Sequence, residues 1–122
     1  KIRRVVMCSG KVYYDLYEER EKRGVDDVYL LRVEQLYPVP LKSLVQELGR
    51  FTKAEFMWCQ EEPRNMGAYT FMEPYLEWTL DQLKAKNRQP RYAGRAASAA
   101  TATGQMARHL QQLKALLDDA LG

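Results

Sequence analysis

Ser9, Gly10 and Lys11 have the residue types of a phosphate-binding loop, in which backbone amides and a lysine surround a phosphate. The full pattern, GxxxxGK[ST], needs a glycine five residues before the second one and a Ser or Thr after the lysine to hold Mg²⁺. Valine stands at both places in this chain. The stretch therefore predicts a tight turn followed by a helix, and it does not support nucleotide hydrolysis of this type.

Glu61 and Glu62 have the type needed for general acid–base chemistry, in which carboxyl groups exchange protons with one reacting group. Adjacent side chains on an extended chain point in opposite directions. We therefore predict that the two carboxylates do not share a substrate. The favoured interpretation is structural, with one of them meeting Arg64 or a partner subunit.

A metal centre or a nucleophilic triad is not predicted. His109 is the one histidine, and it lies in the body of a predicted helix with no Cys or carboxylate at ligand spacing on that helix. Cys8 and Cys59 each end an apolar stretch, so we interpret them as small buried hydrophobic residues. We assign no catalytic and no metal-binding residue to this chain.

Residues 92–104 are dominated by small side chains and contain Arg95 and Ser98. Small residues let backbone amides approach a ligand, and the helix predicted to follow offers its positive N-terminal end to an anion. Arg95 has the geometry to bind a phosphate or carboxylate bidentately. A packing loop at a subunit interface explains the same composition equally well, so both interpretations stay open.

The charge is unevenly distributed, although its net value is only +3. Residues 82–117 carry seven basic and no acidic side chains, whereas residues 1–81 carry 12 basic and 14 acidic ones. A charge block of this kind concerns partners rather than fold. Tyr92 is the only aromatic residue in the basic stretch, so we predict a solvated face or a dock for an acidic partner, and no nucleic-acid partner. No apolar run approaches the roughly 20 residues of a transmembrane helix, so no membrane partner is expected.

Apolar patterning supplies the elements that must position these residues. Compact apolar runs predict strands over 4–8, 28–33, 56–59 and 90–93. Helical spacing predicts helices over 11–23, 41–48, about 66–83 and about 105–121, with Pro74 kinking or splitting the third. Strands without polar alternation are covered on both faces, which is typical of a parallel sheet between helices.

Right-handed crossovers bring all strand-to-helix loops to one edge of such a sheet, where ligands of open α/β sheets bind. The predicted loops there are residues 9–11, 34–37, 60–67 and 94–104. The length fits a single domain, residues 1–122. Because the sequence lacks an initiator Met and enters an apolar run almost at once, we expect a domain of a longer polypeptide.

Several stretches, in order along the chain, resemble the C-terminal domain of the thiamine-diphosphate-dependent decarboxylating component of 2-oxoglutarate dehydrogenase, in a bacterial-like form. They are residues 6–16 (VMCSGKVYYDL), 31–40 (LRVEQLYPVP), 58–69 (WCQEEPRNMGAY), 92–95 (YAGR), 98–99 (SA), 102–104 (ATG) and His109. The resemblance covers essentially the whole chain. It departs from the family pattern at Tyr69, where Trp is common, and at Val39, where Phe is frequent.

The resemblance implies a transketolase C-terminal-domain-like fold, a three-layer α/β/α sandwich with a mostly parallel five-stranded sheet. That is one strand more than the apolar pattern locates. The resemblance also implies a parent oxidoreductase of the citric acid cycle, which decarboxylates 2-oxoglutarate on thiamine diphosphate and Mg²⁺ and passes the succinyl group to lipoamide. The family's cofactor and metal motifs belong to the preceding domains, and no GDG-type motif occurs here. This chain is therefore expected to hold no cofactor and to be inactive alone.

A structural and regulatory role follows from the resemblance. The implied partners are other domains of the same chain, a homodimer partner, the succinyltransferase component and acetyl-CoA, an activator of some relatives. The implied location is the cytoplasm, or the mitochondrial matrix in a eukaryote. By analogy, the candidate residues for an acyl-CoA or other anion are Arg64, Arg95, Ser98 and Lys114. The alternative is an anion-binding module for acyl-CoA or phosphate, or a partner-docking module, without catalysis of its own.

Overall fold

The computed structural model describes residues 1–34, 38–95 and 106–122, without the side chains of Arg95, Met106, Ala107 and His109. The described elements alternate as the apolar pattern predicts. They are β1 (Arg4–Cys8), α1 (Val12–Arg23), β2 (Val28–Arg32), α2 (Leu41–Leu48), β3 (Glu55–Pro63), α3 (Tyr69–Gln82), β4 (Arg91–Arg95) and α4 (Met106–Leu121), with a 3₁₀ turn at Gly49–Phe51.

The four strands form one sheet in the order β2-β1-β3-β4, and every pair is parallel. The predicted α/β class with a parallel sheet is confirmed. Within the described residues the sheet has four strands, one fewer than the family resemblance implies and the number that the apolar runs locate. The only element described after β4 is the helix α4.

Two apolar cores lie on opposite faces of the sheet. Alternate residues of each strand point to opposite faces, so an unbroken apolar strand serves both cores. Helices α2 and α3 cover the first face, and helices α1 and α4 cover the second. The fully buried strand residues on the first face include Val5, Met7, Phe56 and Trp58, and those on the second include Val6, Cys8, Met57 and Cys59.

Helix α3 runs without interruption through Pro74, so of the predicted kink or split at this residue the split is not found. Proline removes one backbone donor, which leaves the carbonyl of Thr70 without its helical partner. Thr70 and Pro74 are both exposed, so water can hydrate that carbonyl. The opposite face of the helix buries Met72, Leu76 and Leu80, and this packing holds the helix together.

Strand β3 is nine residues long, and it continues through Pro63 rather than ending at Cys59 as predicted. Its polar end, residues 60–62, lacks the apolar character by which sequence reasoning locates a strand. It stays extended beside the end of β4, where Cys59 pairs with Ala93 and Pro63 pairs with Arg95. The register shifts between these pairs, because β3 places three residues where β4 places only Gly94.

The amino edge of the sheet is held by an arginine–carboxylate network. Glu55 accepts hydrogen bonds from Arg4 Nε at 2.7 Å and from Arg91 Nη1 at 3.0 Å. Burial opposes the ionisation of Glu55, but the two arginines outweigh it and lower the pKa of this carboxyl group. Arg4 Nη1 also donates to the carbonyl of Ala120 at 2.8 Å, which fastens the end of α4 to the start of β1.

Part of the basic stretch is neutralised by carboxylates that lie outside it. Arg88 pairs with Asp81 at 2.9 Å, Arg91 with Glu55 at 3.0 Å and Lys114 with Asp118 at 3.1 Å. These three ion pairs favour the interpretation of this part of the basic stretch as a solvated face. Among the described residues, no helix is both long and apolar enough to cross a bilayer.

Candidate functional site

The strand order creates a crevice between the carboxyl ends of β1 and β3. These strands are neighbours, but β1 leads into α1 on one face and β3 leads into α3 on the other. Ligands of open α/β sheets bind where the connections diverge in this way. A cleft of about 520 Å³ opens at this point. Its lining residues are Ser9, Gly10, Trp58, Gln60, Glu62, Gly67, Ala68 and Phe71.

Gln60 organises the loop that forms one wall of this cleft. Its side-chain carbonyl accepts hydrogen bonds from the indole N–H of Trp58 and the backbone N–H of Tyr69, both at 3.0 Å. Its amide nitrogen donates to the carbonyls of Pro63 at 2.9 Å and Met66 at 2.7 Å. Gln60 is only 3% exposed, so these bonds are screened from water. One buried amide thus joins the end of β3 to the start of α3.

Two glycines let the backbone fold tightly around Gln60. A Cβ at Gly94 would lie 2.4 Å from the Gln60 carbonyl oxygen, so β3 and β4 approach too closely there for any side chain. Gly67 has a φ of +65°, which strongly favours glycine, and a Cβ there would meet Gln60 Oε1 at 3.1 Å. The Tyr92 hydroxyl donates to the Glu62 carbonyl at 2.9 Å and so fastens the loop to β4.

Arg64 lies against a pair of tyrosine rings at this edge. Its guanidinium carbon is 5.5 Å from the ring centroid of Tyr69 and 5.6 Å from that of Tyr92, and the two rings are 4.9 Å apart. Burial and a hydrogen bond to Glu73 raise the pKa of Tyr69 to about 12. Burial also raises the pKa of Tyr92. Both phenols therefore stay neutral at physiological pH. The guanidinium of Arg64 stacks on their rings and keeps its own positive charge available for a ligand.

The four predicted anion-binding residues are not all brought together. Arg64 follows Pro63, whose backbone pairs with Arg95 at the end of β4, so these two residues lie at adjacent strand ends. Lys114 lies in the second half of α4, pairs with Asp118, and is displaced toward the amino edge where α4 ends. Ser98 lies outside the described residues, and so does most of the predicted loop 94–104.

Glu61 and Glu62 lie in extended strand, as predicted, and have different surroundings. The Glu61 carboxylate is 3.7 Å from Lys11 Nζ. The Glu62 carboxylate folds toward Gly67 at the cleft. The backbone N–H of Gly10 donates to the Glu34 carboxylate at 3.1 Å. This backbone amide, which a phosphate-binding loop would offer to its ligand, is therefore already hydrogen-bonded to a carboxylate.

Cys8 and Cys59 are side by side in the paired register of β1 and β3, and both are fully buried. Burial, with a smaller contribution from Glu34, raises the pKa of Cys8 to about 12, and burial raises that of Cys59 further. Both therefore remain thiols, as the interpretation as buried hydrophobic residues requires. Among the described side chains, no group of three His, Cys, Asp or Glu residues forms a metal-binding set.

Sequence reasoning missed the central role of Gln60, although a signal for it exists. Gln60 has the same parity along β3 as Phe56 and Trp58, so a period of two places it on a buried face. A polar residue in that position must find hydrogen-bond partners inside the protein. The partners themselves come from loop 63–69, whose path no local pattern specifies.

The chain matches known proteins along its whole length. A family profile described as 2-oxoglutarate dehydrogenase C-terminal matches residues 1–121. Proteins named 2-oxoglutarate dehydrogenase E1 component from Brucella anthropi, Brucella ovis and Brucella melitensis are each 70% identical to it over all 122 residues. The chain spans 12% of the length of these relatives. It therefore belongs to the 2-oxoglutarate dehydrogenase C-terminal family.

Proposed function

We propose that residues 1–122 form the C-terminal domain of a 2-oxoglutarate dehydrogenase E1 component. The observation that supports this most is the 70% identity to proteins of that name over the entire chain. In the proposal, the longer protein decarboxylates 2-oxoglutarate on thiamine diphosphate and Mg²⁺ and passes the succinyl group to lipoamide. It works as a homodimer beside the succinyltransferase component, in the bacterial cytoplasm.

The described residues of this chain do not fit a thiamine diphosphate–Mg²⁺ site. Mg²⁺ sites need clustered oxygen ligands, and no such set of acidic side chains comes together among these residues. We therefore assign no chemical step to this chain. In the proposal it completes the folded enzyme and carries regulatory surface.

A chimeric enzyme tests this proposal. We expect the Brucella anthropi E1 component to keep its activity within about twofold when this chain replaces its equivalent residues, since 70% of the residues are identical. The measurement is 2-oxoglutarate decarboxylation by the purified chimera. The same E1 component with those residues deleted is the control, and it should be inactive or fail to dimerise. A chimera that folds and dimerises but is inactive, or a deletion that is fully active, would contradict the proposal.

We also propose that the carboxyl edge near Arg64 and Arg95 binds the anionic part of a regulatory ligand, with acetyl-CoA as the first candidate. The supporting observation is the placement of two arginines at adjacent strand ends, with Arg64 held over two tyrosine rings. Arginine binds phosphate groups through paired hydrogen bonds. Tyr69 and Tyr92 fix the guanidinium before a ligand arrives, which lowers the entropy cost of binding.

Arg64→Ala is expected to weaken acetyl-CoA binding by about tenfold, since a charge-assisted hydrogen bond contributes about 1.5–3 kcal/mol. Isothermal titration of the full-length E1 component measures the change. Arg50→Ala is the matched control, because Arg50 is also an exposed arginine over two aromatic rings, Tyr29 and Phe51, but it lies near the amino edge.

Equal effects of the two substitutions, or no acetyl-CoA binding by the original protein at millimolar concentration, would contradict this assignment. A parallel titration with inorganic phosphate separates the alternatives. If phosphate binds as tightly as acetyl-CoA, the site is a general anion module rather than one built for an acyl-CoA.

A further inference from the structure

Helix α3 presents an aromatic stripe that is continuous with the cleft. Phe71, Tyr75 and Trp78 recur at helical spacing on its outer face, and they are 39%, 36% and 48% exposed. Phe71 also lines the cleft, and its ring lies 5.4 Å from that of Tyr75. We call the cleft together with these three side chains the α3 surface. Large apolar side chains that are exposed side by side in this way mark an interaction site.

The exposed tyrosines of α1 have a different environment. The Arg32 guanidinium lies over Tyr13 and Tyr14, and the Arg20 guanidinium lies over Tyr17, so these rings already have cation partners within the domain. Among the described side chains, no arginine or lysine stacks on the three rings of α3. The α3 surface is therefore the more fully apolar of the two exposed aromatic regions.

The charge of the α3 surface indicates what kind of partner it fits. Helix α3 contains Glu73, Glu77 and Asp81 but no lysine or arginine. Glu77 lies along one flank of the aromatic stripe, by helical spacing, and Glu62 adds a carboxylate to the cleft, whereas Asp81 is already paired with Arg88. A complementary segment has one apolar anchor for the cleft, further apolar residues for the stripe, and a lysine or arginine beside these carboxylates.

We propose that the α3 surface docks a basic, apolar segment from the remainder of the same E1 polypeptide. The relatives continue far beyond the matched region, since this chain spans 12% of their length. A covalently linked segment has a high effective concentration, in the millimolar range, so a surface of this size suffices to hold it. This inference rests on the proposed function, because it requires the longer protein.

Photo-crosslinking in the full-length E1 component that contains this chain tests the proposal. Trp78 is replaced by p-benzoylphenylalanine, and crosslinked peptides are identified by mass spectrometry after mixing isotopically light and heavy protein. We expect an intramolecular link to a lysine- or arginine-containing segment outside residues 1–122, with a yield that is independent of dilution. The same probe at Gln46, an exposed polar position on α2, should give no such link.

A link that joins light to heavy chains would assign the surface to a second copy, and a link only to another protein would assign it to a separate partner. Either result overturns the proposal, and so does the absence of any link. Limited proteolysis provides a second measurement. Trp78→Arg should speed release of this domain at least about tenfold by like-charge repulsion, and Tyr17→Arg, at a site that is 47% exposed, should not.

The crosslink and the chimera report on separate claims. An active chimera without an intramolecular link overturns the docking proposal alone. An inactive chimera that still forms the link contradicts the assigned function and leaves the docking geometry standing.

Discussion

Replacing Gly94 with alanine is expected to lower the free energy of unfolding by about 3–4 kcal/mol, through the combined cost of a steric clash and a strained backbone. The added Cβ would lie 2.4 Å from the Gln60 carbonyl oxygen and 2.7 Å from the Tyr92 hydroxyl. The carbonyl belongs to β3, so it can move away only by disturbing the pairing of β3 with β4. The φ of Gly94, +154°, is also one that side chains rarely adopt.

Gly24→Ala is the matched control for this substitution. Gly24 also has a positive φ, +66°, but a Cβ there would meet nothing within 4 Å. Gly24→Ala should therefore lower the free energy of unfolding by only about 1 kcal/mol, which is the strain of a left-handed backbone conformation. Urea denaturation followed by circular dichroism measures both variants. If the two alanine variants lose the same amount of unfolding free energy, β3 and β4 do not approach each other as closely as described.

Gln60→Leu is expected to cost about 3–4 kcal/mol of unfolding free energy, because each buried donor left without an acceptor costs about 1–3 kcal/mol. The substitution keeps the approximate shape of the side chain but removes the acceptor shared by the Trp58 indole and the Tyr69 backbone N–H. It also removes the donor to the Pro63 and Met66 carbonyls. The loop that carries Arg64 should loosen, so anion binding should weaken together with stability.

Gln60→Glu separates the two halves of this network through its pH dependence. A glutamate keeps the acceptor for Trp58 and Tyr69, but its ionised form repels the loop carbonyls that the amide nitrogen now meets. Burial and these carbonyls should raise the pKa of the introduced carboxyl above about 4.3, the ordinary value for glutamate. A raised folded-state pKa gives stability that is complete below the ordinary value and lost as the pH rises through the folded one.

Denaturation of the Gln60 variants between about pH 4 and pH 8 measures this dependence against the original protein. Gln46→Leu, at an exposed position on α2, is the control and should change stability by less than about 0.5 kcal/mol. A Gln60→Leu protein as stable as this control would show that Gln60 does not hold the loop.

The order of elements could be predicted from the sequence, because an unbroken apolar strand and an amphipathic helix leave different local patterns. The strand order could not. The runs at β1 and β3 look equally buried, and nothing local says that they are neighbours. The crevice between them, and with it the candidate site, exists only through that adjacency. The split that the local rule for proline allowed at Pro74 does not occur, because tertiary packing of the inner face of α3 holds the helix together.

The carboxyl edge itself was predicted, and the family resemblance supplied Arg64 and Arg95 as candidates there. The structure adds the tyrosine pair beneath Arg64 and the buried amide that sets the loop, since both depend on contacts between residues far apart in the sequence. Lys114 is the candidate whose place relative to the edge could not be predicted from the sequence. Its position along α4 is set by helical rise, which carries it away from the edge that holds Arg64 and Arg95.

The hydrogen bonds from Arg4 to the end of α4 join the first strand of the domain to its last helix, so the domain cannot be completed until its last residues are made. Strand β1 is synthesised first, yet both of its neighbours and the helix that covers one of its faces are made later. Its backbone partners, β2 and β3, and the helices on its first face are complete after residue 82, but its second face lacks the packing of α4 until residues 116–121 have been synthesised. Until then, part of the apolar second face of the sheet stays exposed, and exposed apolar surface makes a partly folded chain prone to aggregation.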